Sequence, residues 1–71
     1  MNAYMIYNHD RACWMAELDG RTLSLHCGEC FELVIGKNKM PCRLELDSQW
    51  YVIIHEEQFN LRTNDIYRVI I

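Results

Sequence analysis

Apolar residues in this chain recur at every second position, in runs of strand length separated by short polar turns, and that periodicity restricts the fold. Between Cys30 and Ile35, Phe31, Leu33 and Ile35 alternate with Glu32 and Val34, so the first three are expected to face a core. Met40, Cys42, Leu44 and Leu46 fall on one face of the next run and Arg43 and Glu45 on the other. The intervening Gly36-Lys37-Asn38-Lys39 is turn-forming, which predicts a hairpin. A second polar connection, Asp47-Ser48-Gln49, leads into Trp50-Tyr51-Val52-Ile53-Ile54, rich in the aromatic and β-branched side chains of a central strand.

The same reading extends to both ends. Ala3 to Tyr7 and Ala12 to Leu18 are strand-like around the polar Asn8-His9-Asp10-Arg11, and Asp19-Gly20 marks the next turn. After Asn64-Asp65, the run Ile66 to Ile71 is a closing strand that is apolar on both faces. No window carries the i, i+3, i+4, i+7 stripe of an amphipathic helix, and Glu56 to Leu61 is expected to form at most one helical turn. Five to six short antiparallel strands with tight turns predict an all-β fold, a small barrel whose closure removes exposed edges. An OB-like barrel and an open meander sheet are the alternatives.

With 71 residues the chain makes one domain spanning 1–71, too short for a wrapped cofactor fold. Its 51% hydrophobic content, three glycines and one proline are those of a packed globular chain. Seven basic against ten acidic side chains leave a net charge of −3, which disfavours dominant phosphate-backbone binding. The longest apolar stretch, Trp50 to Ile54, is far short of a membrane span. Met1 to Tyr7 lacks the cationic start and apolar core of a secretory signal, so the chain reads as cytoplasmic with reduced thiols.

Leu25-x-x-Gly28-x-x-Phe31-x-Leu33, a hairpin, and then Arg43-Leu44-Glu45-x-Asp47 and Trp50-Tyr51-Val52 resemble the strand rhythm of SH3-like and Tudor-like barrels, over about residues 23–71. A closer resemblance lies in LHCGECFELVIG followed by MPCRLELDSQWYVI. This pattern is similar to a small family, a domain of unknown function carried by gut Firmicutes and their conjugative elements and phages. Met40 stands where that pattern leads one to expect an aromatic residue. The resemblance implies a bacterial, mobile-element context and carries no catalytic residues across.

His26-Cys27-Gly28-Glu29-Cys30 is the sharpest local signal. A Cys-x-x-Cys turn presents two thiolates to one tetrahedral zinc ion, and the further ligands would come from Cys13, Cys42 or His26. The sequence has no second Cys-x-x-Cys and no His-x-x-x-His, so a structural or incidental role is the expectation and a zinc-stabilised module the alternative. Thioredoxin-like chemistry needs its first cysteine at a helix N-terminus in a βαβ unit, which is not predicted here. Glu56 and Glu57 beside His55, and Ser24 near His26, are neighbours in sequence that a strand points to different faces or sets apart. No phosphate-cradling loop is present. The chain is therefore expected not to be an enzyme.

Tyr4, Tyr7, Trp14, Trp50, Tyr51 and Tyr67 are more aromatics than one small core holds, and Trp50 and Tyr51 must face opposite sides. Exposed aromatics beside Arg43, Arg68, Lys37 and Lys39 suit a protein-binding hot spot or base stacking. The expected binding residues are Trp14, Tyr51, Arg43, Lys37 and Lys39, and the expected partner is a protein, with nucleic acid second. Residues 1–36 carry a net charge of −3 and residues 37–71 are neutral. That asymmetry supports a second reading, a stoichiometric inhibitor that blocks the basic groove of a host nuclease in the manner of anti-CRISPR proteins. Ile66, Ile70 and an unpaired edge strand predict self-association.

Overall fold

A computed structural model describes residues 1–71. Eight strands form one antiparallel sheet and no helix is present, so none crosses a membrane. The strands are β1 (Asn2–Asn8), β2 (Cys13–Leu18), β3 (Arg21–Leu25), β4 (Cys30–Ile35), β5 (Asn38–Leu46), β6 (Trp50–Ile54), β7 (Glu57–Asn60) and β8 (Tyr67–Ile70). Their spatial order is β3-β2-β1-β8-β4-β5-β6-β7. Two meanders, β1-β2-β3 and β4-β5-β6-β7, are thus joined only through β8, which pairs with β1 on one side and β4 on the other.

The sheet is open, with β3 and β7 as its edges, where a closed barrel of five to six strands is the sequence expectation. The additional strands are the edges themselves. Arg21–Leu25 pairs along its whole length with β2. Glu57–Asn60 pairs with β6 and replaces the expected helical turn. The connection that makes β7 a strand is His55-Glu56, a two-residue turn with φ of +50° and +66°. Positive φ at both central positions is the type I′ geometry whose twist matches that of the flanking strands.

The remaining turns follow from residue chemistry. Gly36 supplies φ of +59° between Ile35 and Asn38, so the hairpin loop is two residues long and Asn38 and Lys39 already belong to β5. Between β1 and β2 the Asn8 side chain accepts a hydrogen bond from the Arg11 N–H at 3.0 Å, the local bonding that favours asparagine in turns.

The sheet coils on itself. β1 and β6 lie four strand spacings apart, about 19 Å on a flat sheet, yet the Tyr7 and Trp50 rings meet with centroids 6.4 Å apart. The Cα trace is 20 Å across its thinnest dimension, room for two sheet layers about 10 Å apart. Alternation delivers the core: Ala3 and Met5 from β1, Trp14, Ala16 and Leu18 from β2, Phe31 and Leu33 from β4, Cys42 and Leu44 from β5, Trp50, Val52 and Ile54 from β6, and Val69 from β8 are all buried. Ile35 and Leu46 keep the inward register but overrun the end of the core and are exposed, and Met40 is half-buried. At the open edges Leu23 and Phe59 lie opposite the buried Ala16 and Val52, yet remain 40% and 47% exposed because no further strand covers them.

Candidate functional site

The antiparallel pairing sorts the expected binding residues. On β5, Cys42 and Leu44 point inward, so Lys39, Pro41, Arg43 and Glu45 point outward. Arg43 lies opposite Ile53, and Glu45 opposite Tyr51. Arg43 and Tyr51 therefore share the outer face as diagonal neighbours, with Glu45 between them. The Arg43 Nε donates to Glu45 Oε2 at 2.6 Å, so the guanidinium is already partly engaged. Lys39 stands on the same face, about 14 Å from Arg43 along the strand, and Lys37 lies in the β4–β5 turn. The basic groups form a line rather than a phosphate cradle, and Glu32 and Glu45 interrupt it.

Trp14 takes no part in this face. Its ring is fully buried and is met edge-on by Tyr7 and Tyr67, at centroid distances of 5.3 and 5.7 Å. The indole Nε1 has no hydrogen-bond partner. The two tyrosine rings stand nearly perpendicular to the indole, at 70° and 68°, in the edge-to-face arrangement aromatic pairs favour. Alternation accounts for the burial, since Trp14, Ala16 and Leu18 share one face of β2.

The outer face also gathers residues that no single motif announces. Arg68 lies opposite Tyr4, Ile70 lies opposite Glu32, and continuing that register sets Val34 beside Arg68. Across β8, β4, β5 and β6 the outward side chains thus include Val34, Ile53, Ile70 and Tyr51, all half-buried, bordered by Arg68, Lys39, Arg43, Glu32 and Glu45. The available signal is the run Ile66 to Ile71, apolar on both faces, which a strand with one solvated side does not require.

The cysteine turn lies at the end of this face. Glu29 N–H donates to the His26 carbonyl at 3.1 Å, and Gly28 has φ of +89°, the glycine position of a type II turn. Gly28 N–H donates to the Leu44 carbonyl at 2.7 Å and Leu44 N–H to the Glu29 carbonyl at 2.9 Å, which ties the turn to β5. Glu29 folds back on its own turn, accepting from the His26 backbone N–H and lying 3.1 Å from its Nδ1. Cys27 and Cys30 are exposed, Cys13 is half-buried on β2, and Cys42 is in the core. No three His, Cys, Asp or Glu side chains of the chain come together to hold a metal ion, so Cys13, Cys42 and His26 do not complete a site with Cys27 and Cys30. Burial pushes the Cys42 thiol up to about 11, helped by the charge of Cys30 and opposed by hydrogen bonds from the Leu33 and Phe31 backbone.

A shallow cleft of about 600 Å³ opens between residues 48–50 and 61–65, with Trp50 and Leu61 as its floor and Gln49, Arg62, Asn64 and Asp65 on its rim. Its hydroxyls are Ser48 and Thr63 and its one carboxylate is Asp65, and no histidine lines it. The acidic residues of the first half are dispersed: Asp10 and Asp19 lie in turns at opposite ends of β2, and Glu17 and Glu32 point outward on different strands.

A family model described as a domain of unknown function (DUF5348) matches residues 3–71. The chain belongs to the DUF5348 family. The DUF5348 sheet is also found in a solved structure: a crystal structure of a protein from Ruminococcus gnavus, a structural-genomics target, is similar with a TM-score of 0.83 and 25% identity over 100% of each chain. No curated protein matches the DUF5348 chain.

Proposed function

We propose that this DUF5348 domain is a non-enzymatic, cytoplasmic interaction module that binds a protein through the outer face of β8, β4, β5 and β6. The observation that carries the reading is the presence of Val34, Ile53, Ile70 and Tyr51 on the side of the sheet turned away from the core. A solvated sheet face alternates to polar residues, and an aromatic and β-branched centre with an arginine-rich, mixed-charge rim is the composition of a protein contact. Glu32 and Glu45 within the basic line favour protein over phosphate. The coiled sheet serves as a rigid platform, as SH3-like modules do, and the encoding context is a bacterial mobile element.

Site-specific photo-crosslinking in a bacterial host tests this reading. A photo-reactive residue at Tyr51 or Ile53 is expected to capture one protein, and the same probe at Thr22 on the opposite wing is not. Equal capture from both wings refutes the assigned face. A salt-sensitive shift of DNA or RNA by the purified domain replaces the protein partner with nucleic acid, and salt-sensitive binding to a nuclease replaces the adaptor with an inhibitor.

A further inference from the structure

We infer that Cys27 and Cys30 form half of a tetrahedral zinc site, which a second copy of the chain completes across a two-fold axis. Both thiols are exposed, and they sit on a type II turn fixed by reciprocal backbone bonds to Leu44 rather than on a free loop. Zinc in a structural site takes four ligands, and one chain offers only this pair: Cys42 is buried on the inner face, Cys13 lies in the other meander, and no third ligand converges. The same turn on a second copy supplies the missing two thiolates by an isologous contact, in which each surface meets its own image.

The surroundings suit the charge that such a centre carries. One zinc ion with four thiolates has a net charge of −2, and Arg43 lies directly across from Cys30 on the same outward face, where its Nε is held by Glu45 and its terminal nitrogens are not bound by that contact, so each copy brings one partly engaged guanidinium to the site. Glu29, the nearby carboxylate, is turned back onto His26 instead of toward the thiols. The four thiolates are joined only through the cation they share, so the metal is the link and the dimer depends on it. The site adjoins the outer face and shares Arg43 with its rim, but the inference rests on the cysteine pair and is read by metal uptake, so its failure is distinguishable from failure of the protein-binding reading.

The test is sedimentation equilibrium and native mass spectrometry of the full chain under a non-thiol, non-chelating reductant, with zinc added stepwise. The expected result is a metal-free monomer that converts to a dimer holding one zinc per two chains and returns to monomer with chelator. Substituting cobalt is expected to give thiolate-to-metal charge-transfer absorption. C27S and C30S each lose metal and dimer together, while C13S and H26A keep both. Zinc bound one per chain in a monomer, a dimer that forms without metal, or no uptake at micromolar zinc overturns the inference. Folding of C27S and C30S is checked by circular dichroism, and since both side chains are exposed their β-sheet spectrum is expected unchanged.

Discussion

Raising the pH from neutral should weaken the fold through one residue, Cys42. Its side chain is 5% exposed between Phe31 and the core, and its thiol titrates near 11 in the folded chain against 9.0 in the unfolded one, chiefly because burial penalises the thiolate and secondarily because of the charge of Cys30. Between those two values the folded state holds a proton that the unfolded state has released, so unfolding becomes progressively more favourable as pH rises. The stabilisation is complete below about pH 9 and is lost as pH passes through about 11. Two pH units correspond to about 2.7 kcal/mol at most, a large share of the stability of a domain this small. The assay is urea denaturation from pH 7.5 to 11 on the wild type and on C42V, which keeps an apolar side chain of similar size suited to a strand. Tyrosines and lysines titrate in both proteins, so the difference between them isolates the thiol. The wild type should lose about 1.5–2.5 kcal/mol relative to C42V across that range, and C30S should lose somewhat less than the wild type. A difference that stays flat with pH refutes the reasoning.

Trp14→Ala empties the centre of the aromatic cluster and should cost about 3–5 kcal/mol. Trp14→Phe should stay within about 1 kcal/mol of wild type, because removing the unpaired Nε1–H offsets the lost ring area; thermal melts separate the two. Replacing His55-Glu56 by Asn-Gly should raise stability by about 1 kcal/mol, since both positions have positive φ that only glycine and asparagine adopt readily; a lower urea midpoint would contradict this. Gly28→Ala should cost about 1–2 kcal/mol through φ of +89° alone, because a β-carbon there meets nothing within 4 Å. Its zinc uptake should fall with it.

The central strands were readable because alternation there coincides with burial. Phe31 and Leu33, Cys42 and Leu44, and Trp50 and Val52 sit on inward positions and are buried, as their period-two pattern implies. The edges were not readable for a physical reason. β3 offers only Leu23 and Leu25 on its inward face, and β7 carries Phe59 alone among Glu57, Gln58 and Asn60, so each is too short an apolar pattern to announce a strand. The hairpin leading into β7 was concealed by a turn built from His55 and Glu56 rather than from glycine or asparagine. Whether the sheet closes depends on whether β3 and β7 meet, and no local pattern encodes that contact. At the outer face, Arg43 and Tyr51 were legible as types and as neighbours in pairing strands, whereas Arg68, Ile70 and Val34 join them only through β8. Trp14 shares its face with Ala16 and Leu18, but Cys13 and Met15 make the opposite face apolar as well, so the alternation in β2 left its inward side ambiguous.

The seam strand has a consequence for how the molecule comes into being on the ribosome. Each meander consists of neighbours in sequence, so both can zip up as the polypeptide emerges. Ala3 on one wing and Leu33 on the other gain their shared neighbour, Val69, only when β8 arrives, and β8 follows both meanders in chain order. Until then two half-lined surfaces, each with the backbone of a strand unpaired, face the cellular milieu. Completion is accordingly a single late event that couples the quality of both halves: a nascent chain flawed in either wing fails at the same step.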